Sequence, residues 1–120
     1  MTDATTVEAR RWLDHYRFQW HEGVLRDAEV RQHPTALALA GHIMHRFVAK
    51  NGWAQFSNNS AAKELNMEAR SVARAKDYLI KRGWIRLHSK ADKRARGWGA
   101  NRYILTGGPD DLLFDAEPHQ

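Results

Sequence analysis

The chain has 120 residues, no cysteine and 42% hydrophobic residues. One modest domain with short trimmings is therefore expected, and a disulfide framework or a zinc site with sulfur ligands is excluded. Lys and Arg outnumber Asp and Glu by 19 to 14, but unevenly: every basic residue lies at or before Arg102, while Asp110, Asp111, Asp115 and Glu117 close the sequence. Residues 1–106 carry 19 basic against 10 acidic groups, a net +9, and a field of that sign attracts polyanions. Nothing approaches the ~18 consecutive apolar residues of a membrane span. No apolar run precedes a cleavage site as in a secretory signal, so a cytoplasmic location is expected.

Residues 1–6 read as a frayed start. From Val7 to Tyr16 the sequence suits a helix, with Trp12 and Tyr16 one turn apart. "RFQWHEGVLRD" fits two patterns: Phe18 and Trp20 alternate like a strand, whereas Trp20, Val24 and Leu25 would line a helix. We take it as helix. These aromatic residues exceed what one small domain needs, so residues 1–31 are expected to form a helical extension. Trp12, Tyr16, Phe18 and Trp20 are its candidate dimer contacts.

"HPTALALAGHIMHRFVAK" predicts a central helix. Pro34 suits the first helical position, where a missing N–H costs nothing. Leu37, Ala40, Met44 and Phe47 form one apolar row, Leu39 and Ile43 another. Gly41 lowers helix propensity, and close approach by a neighbour would justify it. Asn51-Gly52 then marks a turn. Ser57 is a good N-cap for a short helix through Leu65, with Ala61, Ala62 and Leu65 facing inward. Asn66 tolerates the left-handed conformation that a sharp bend needs. A second helix runs from about Glu68 to Arg82, with Val72, Ala75, Leu79 and Tyr78 inward, and Gly83 ends it. The period then changes: "WIRLH" and "NRYIL" alternate as strands do, and the basic loop between them makes a hairpin. "TGGPDDLLFDAEPHQ", residues 107–120 in the main, reads as an acidic flexible tail.

A short helix, a three-residue turn, a longer basic helix and a hairpin form the order of a winged helix-turn-helix. The run "FSNNSAAKELNMEARSVARAKDYLIKRGWI", Phe56 to Ile85, resembles the helix-turn-helix domain family of bacterial regulators and of phage and plasmid replication proteins. Ser57, Ala62, Leu65, Met67, Val72, Arg74, Leu79, Gly83 and Ile85 fit its pattern, and "NRYIL" is similar to its closing wing strand. Asn66 replaces the usual turn glycine, and Glu68 stands where Ser or Thr often caps the second helix. The resemblance implies a mainly α domain over 32–106 with a small β-hairpin wing, bound to double-stranded DNA in the bacterial nucleoid; one such helix reads only a few base pairs, so a homodimer reading two half-sites is expected. It implies either a sequence-specific transcriptional regulator, such as a repressor, or a phage or plasmid replication and maintenance protein. A winged helix serving only protein interaction is the alternative from another class.

In that geometry the helix of 68–82 enters the major groove. Arg70 and Arg74 would read bases, because a guanidinium pairs in a fork with guanine O6 and N7, and Ala69 and Ala73 would let the helix seat deeply or touch a thymine methyl. Ser57, Asn58, Ser71 and Arg102 would meet phosphate. Lys90, Lys93, Arg94 and Arg96 arm the wing, residues 89–100, for the minor groove or the backbone. Asp77 would pair with Arg74 or Lys81, while Lys76, Lys81 and Arg82 read as a solvated face. His42 and His45 lie one turn apart without the further ligands a metal needs. No metal, cofactor or catalytic constellation is expected. Any small-molecule ligand stays open.

Overall fold

The computed structural model describes residues 15–90 and 100–109. Within them the chain is mainly helical, with a small four-stranded antiparallel sheet. The first helix, α1, occupies residues 15–26 of the described chain, which decides the ambiguous "RFQWHEGVLRD" in favour of helix. Its inner face carries Tyr16, Trp20 and Val24, at helical spacing and all buried. A one-turn helix α2, Ala28–Arg31, follows, capped by the Asp27 side chain, which accepts from Glu29 N–H at 3.0 Å.

The central helix α3, Pro34–Arg46, has Pro at its first position and buries Ala36, Leu39, Ala40, His42 and Ile43. It is shorter than the apolar pattern suggests. Phe47 and Val48 leave it to form strand β1, Phe47–Val48, which turns through Asn51-Gly52 into β2, Trp53–Phe56. Gly52 carries the turn with φ +80°. Neither strand stands out in sequence, because two to four residues are too few to display a period.

Helices α4, Asn58–Leu65, and α5, Ala69–Lys81, follow as the spacing predicts. Both end in the same way. At α4, Asn66 takes the left-handed conformation (φ 55°, ψ 51°), and Met67 N–H reaches back to the Ala62 carbonyl at 2.9 Å. At α5, Gly83 has φ +84°, and Trp84 N–H reaches back to Leu79 O at 2.9 Å. Each is a six-to-one closure around a left-handed residue, which satisfies carbonyls the helix end would otherwise leave open. The hairpin β3, Ile85–Ser89, and β4, Asn101–Leu105, completes a sheet of order β1-β2-β4-β3, with Ile85 opposite Leu105, Leu87 opposite Tyr103, and a bulge between Leu87 and Ser89.

The core lies between the helices and one face of this sheet. Ala54, Phe56, Ile85, Tyr103 and Leu105 project inward and meet Trp20, Leu39, Ile43, Val72 and Leu79. The Phe56 and Tyr103 rings stack at 4.9 Å. Two sequence boundaries are thereby corrected. Trp20 is 0% exposed and Tyr16 7%, and both tie α1 to the body: Tyr16 Oη donates to Leu105 O at 3.1 Å and Trp20 Nε1 to Trp84 O at 2.7 Å. Residues up to 31 are thus no separate extension in their described part, and these two aromatics cannot serve as dimer contacts. At the other end Gly107 and Gly108 are buried, so the body continues past residue 106. The rest of the tail, from 110, lies outside the described residues.

Gly41 is a smaller correction. A Cβ built there would meet only His21 Nε2, at 3.9 Å, which is ordinary contact. Close approach therefore does not require glycine. Gly41→Ala is expected to stabilise the fold by roughly 0.5–1 kcal/mol through helix propensity. Urea unfolding checks it, and a net loss would show that α1 packs more tightly on α3.

Candidate nucleic-acid interface

The face of α5 that turns away from Val72, Ala75 and Leu79 carries Arg70, Arg74, Asp77 and Lys81, all exposed. This follows from helical period alone, since these positions lie about 180° around from the buried stripe. Arg70 and Arg74 are one turn apart, so their stems are about 6 Å apart along the axis. The structure brings these two together as expected.

Other positions differ. Ala69 packs against the core and is half-buried, because it lies one turn before Val72 on the inner side. Ala73 is also half-buried, at the edge of the exposed face. Among the described residues no ion pair joins Asp77 to Arg74 or Lys81. Arg70 instead has Glu68 Oε1 3.6 Å from its Nε, with both side chains 73% exposed. So open a pair contributes little to stability. Glu68 is the N-cap residue of α5 but makes no side-chain cap bond. Its charge sits at the positive end of the helix dipole.

Arg82 is not a solvated cation. Its Nη2 donates to Asp27 Oδ1 at 2.7 Å and to Oδ2 at 2.9 Å, and the Asp27 side chain is only 6% exposed. The last turn of α5 is thereby fixed to the start of α2. Burial pushes the Asp27 carboxyl upward, but hydrogen bonds from Arg82, Trp84 and Glu29 N–H outweigh it and hold the group below its ordinary value.

Of the expected phosphate contacts, Ser57 caps α4. It accepts from Ser60 N–H at 3.0 Å, while the Ser60 hydroxyl receives Ser57 N–H at 3.2 Å. Asn58 Oδ1 accepts from Lys76 Nζ at 3.1 Å. Both polar groups are therefore engaged in joining α4 to itself and to α5. Ser71 and Arg74 line a groove of about 410 Å³ with Gln32, His33, Thr35 and Tyr78, where the start of α3 runs beside α5. The His33 and Tyr78 rings meet there at 4.2 Å, and burial raises the Tyr78 phenol above its ordinary value.

Arg102 stands apart. On β4 it alternates with the inward Tyr103, so it lies on the sheet's outer face, where its guanidinium rests 5.0 Å from the Trp53 ring. His88 meets the same indole at 4.8 Å. Sequence reasoning missed this cluster because its members come from three strands, two of which belong to the hairpin. Among the described residues none of the four strands carries an acidic residue. Lys90 is exposed at the end of β3. Lys93, Arg94 and Arg96 lie outside the described residues, as does Trp12. Phe18, 47% exposed on α1, and Leu25, seven residues on and 42% exposed, are the open apolar positions of that helix.

His42 is buried against α4. Its Nδ1 is 3.6 Å from Glu64, and burial, with Arg46 adding to it, lowers its pKa against the pull of Glu64. Among the described residues no group of three or more potential ligands could hold a metal ion, and no helix is long and apolar enough to cross a membrane. No family model, curated protein or solved structure matches the chain.

Proposed function

We propose that the chain is a winged helix-turn-helix protein that binds double-stranded DNA in a sequence-specific manner, as a transcriptional regulator does. Helix α5 would lie in the major groove, and the β3–β4 hairpin, residues 89–100 at its tip, on the minor groove or the backbone. One observation carries this reading. The exposed face of α5 presents Arg70, Arg74 and Lys81 around Asp77, on a helix whose C-terminal end is closed by Trp84 N–H on Leu79 O and tied to the start of α2 by the Asp27–Arg82 pair. A rigid helix with exposed forks suits base reading, since the major groove admits an α-helix and guanine offers two acceptors to a guanidinium. Arg74, beside Ser71 and the first turn of α3, would also be near enough to the backbone to set register. If two copies bind, Phe18 and Leu25 are the apolar positions available to join them.

The test is selection of bound duplexes from random sequence, followed by titration of the selected site with the full chain and with Arg70→Ala and Arg74→Ala. Each substitution is expected to weaken the selected site by about 1–3 kcal/mol, or roughly 5- to 150-fold, while far-ultraviolet circular dichroism stays unchanged. Binding should also weaken steeply with salt. Equal affinity for selected and scrambled duplexes would overturn the reading. The arrangement of half-sites in the selected pool reports the stoichiometry.

A further inference from the structure

We propose that the groove between the start of α3 and the flank of α5 binds a phosphorylated aromatic anion of up to nucleotide size, and that such a ligand competes with DNA for Arg74. The competition rests on the DNA-binding reading above; the site itself does not.

The groove lies to one side of the exposed face of α5. Ser71, Arg74, Ala75 and Tyr78 line it, and at 3.6 residues per turn these four positions share one arc of about 100° with Arg74 at its edge. Arg70 and Asp77 fall on the other side of Arg74, about 40° and 60° around from it. Arg74 is thus the residue common to both surfaces. It is exposed and has no ion pair among the described residues. None of the residues lining the groove is acidic. The nearest carboxylates that act on Tyr78 are Asp27 and Glu29; the first is matched to Arg82 and the second is exposed to solvent.

Donors border this groove from both helices. Arg74 brings a guanidinium, and Ser71 and Thr35 bring hydroxyls. The start of α3 is not neutralised: its first turn holds no acidic residue, and His33 makes no side-chain cap bond. Leu37 N–H on His33 O, at 3.1 Å, is the first bond into the helix, so Thr35 and Ala36 N–H precede it at the positive end of the dipole. A separate observation points the same way. Tyr78 Oη is buried with no hydrogen-bond partner among the described residues. Burial raises its pKa, so the phenol stays a donor at neutral pH and lacks the acceptor that a buried hydroxyl ordinarily has. A phosphate group turns oxygens toward donors on several sides, whereas a carboxylate offers two in one plane. The rest of the wall is apolar or aromatic: Pro34, Ala36, Ala75 and the His33–Tyr78 ring pair at 4.2 Å. At about 410 Å³ the groove exceeds what a bare phosphate fills and falls within the ~300–1,000 Å³ of small-molecule sites. A ring beside the phosphate uses both parts of the wall. Bound there, it would draw the Arg74 guanidinium away from the face that offers it to bases.

Amide resonances of the full chain test the site, with phenyl phosphate as the probe at constant ionic strength. Saturable shifts at Thr35, Ala36, Ser71, Arg74 and Tyr78 are expected. Inorganic phosphate, lacking the ring, should bind the same place about 3- to 10-fold more weakly. Arg74→Gln should weaken phenyl phosphate about 10-fold or more with far-ultraviolet circular dichroism unchanged, and Lys50→Gln, an exposed cation outside the groove, should not. Saturating probe should also weaken the selected duplex about 5-fold or more. Shifts scattered over basic residues along the chain, equal binding of the two phosphates, or an indifferent Arg74→Gln would overturn the site. Groove amides that move with duplex but not with phenyl phosphate would give the groove to a backbone phosphate and overturn the free ligand. A chain that seats phenyl phosphate but binds no duplex would keep the site and remove the DNA-binding reading instead. Equal duplex affinity with and without the probe would overturn the competition.

Discussion

Asp27→Ala is expected to destabilise the fold by about 2–4 kcal/mol, because it removes a helix cap together with one partner of a half-buried, hydrogen-bonded charge pair. The carboxylate has four donors to lose. Arg82 reaches it through Nε and Nη2, Trp84 Nε1 donates to Oδ2 at 2.7 Å, and Glu29 N–H is capped at 3.0 Å. After truncation the Arg82 guanidinium and the Trp84 indole N–H would both be left without acceptors beside a closed core. Asp27→Asn should be milder, because its one amide oxygen can still cap α2 at the Oδ1 position or accept from Trp84 at the Oδ2 position, though not both. Chemical denaturation of the two variants compares loss of the charge and one acceptor with loss of the whole group.

The same group fixes the sign of the acid response. Its folded pKa lies below its unfolded value. Its contribution is therefore complete above the ordinary carboxylate value, about 3.9, and is lost as pH falls through the depressed folded value. Stability of the parent should thus decline on acidification in a way that Asp27→Asn does not share. Parallel pH dependence in the two chains would show that the Asp27 carboxylate contributes nothing through ionisation.

This joint also shows where sequence patterns stop being informative. Helices α3, α4 and α5 were legible because each has a cap or terminator and a stripe of its own: Pro34, Ser57, Asn66 and Gly83 act on their nearest neighbours, and Val72, Ala75 and Leu79 repeat at helical spacing. The exposed face carrying Arg70 and Arg74 was legible for the same reason. The pairing of Asp27 with Arg82 was not, since 55 residues separate them, and nothing local distinguishes a matched arginine from a solvated one. Tyr16 and Trp20 were misassigned in the same way. Their apolar bodies signal burial but not whose surface supplies it, and only the tertiary arrangement reveals that Leu105 and Trp84 take their polar tips. The strands β1 and β2 were hidden by brevity. The Trp53–Arg102–His88 cluster depends on register, which no single strand encodes.

Gly108→Ala is expected to destabilise the fold by about 2–4 kcal/mol, although "TGGPDD" reads as a linker. Two penalties combine. Gly108 has φ +78°, a conformation that costs an L side chain of order 1 kcal/mol or more. A Cβ would also lie 2.5 Å from Trp84 Cζ2 and 2.7 Å from Cε2, and overpacking of that kind costs roughly 1–3 kcal/mol. The indole cannot withdraw freely, because its Nε1 is held by Asp27 and its own backbone carbonyl accepts from Trp20 Nε1 and Thr106 N–H. Trp84 is thus the point where α1, the cap of α2, the end of α5 and the segment after β4 meet. That shared partner makes a further result expected: Asp27→Ala should release the indole and lower the additional cost of Gly108→Ala, so the double variant should be less destabilised than the two single effects combined. Strict additivity in denaturation would mean that the ring has room to move with Asp27 in place, and that the buried glycine is tolerant after all.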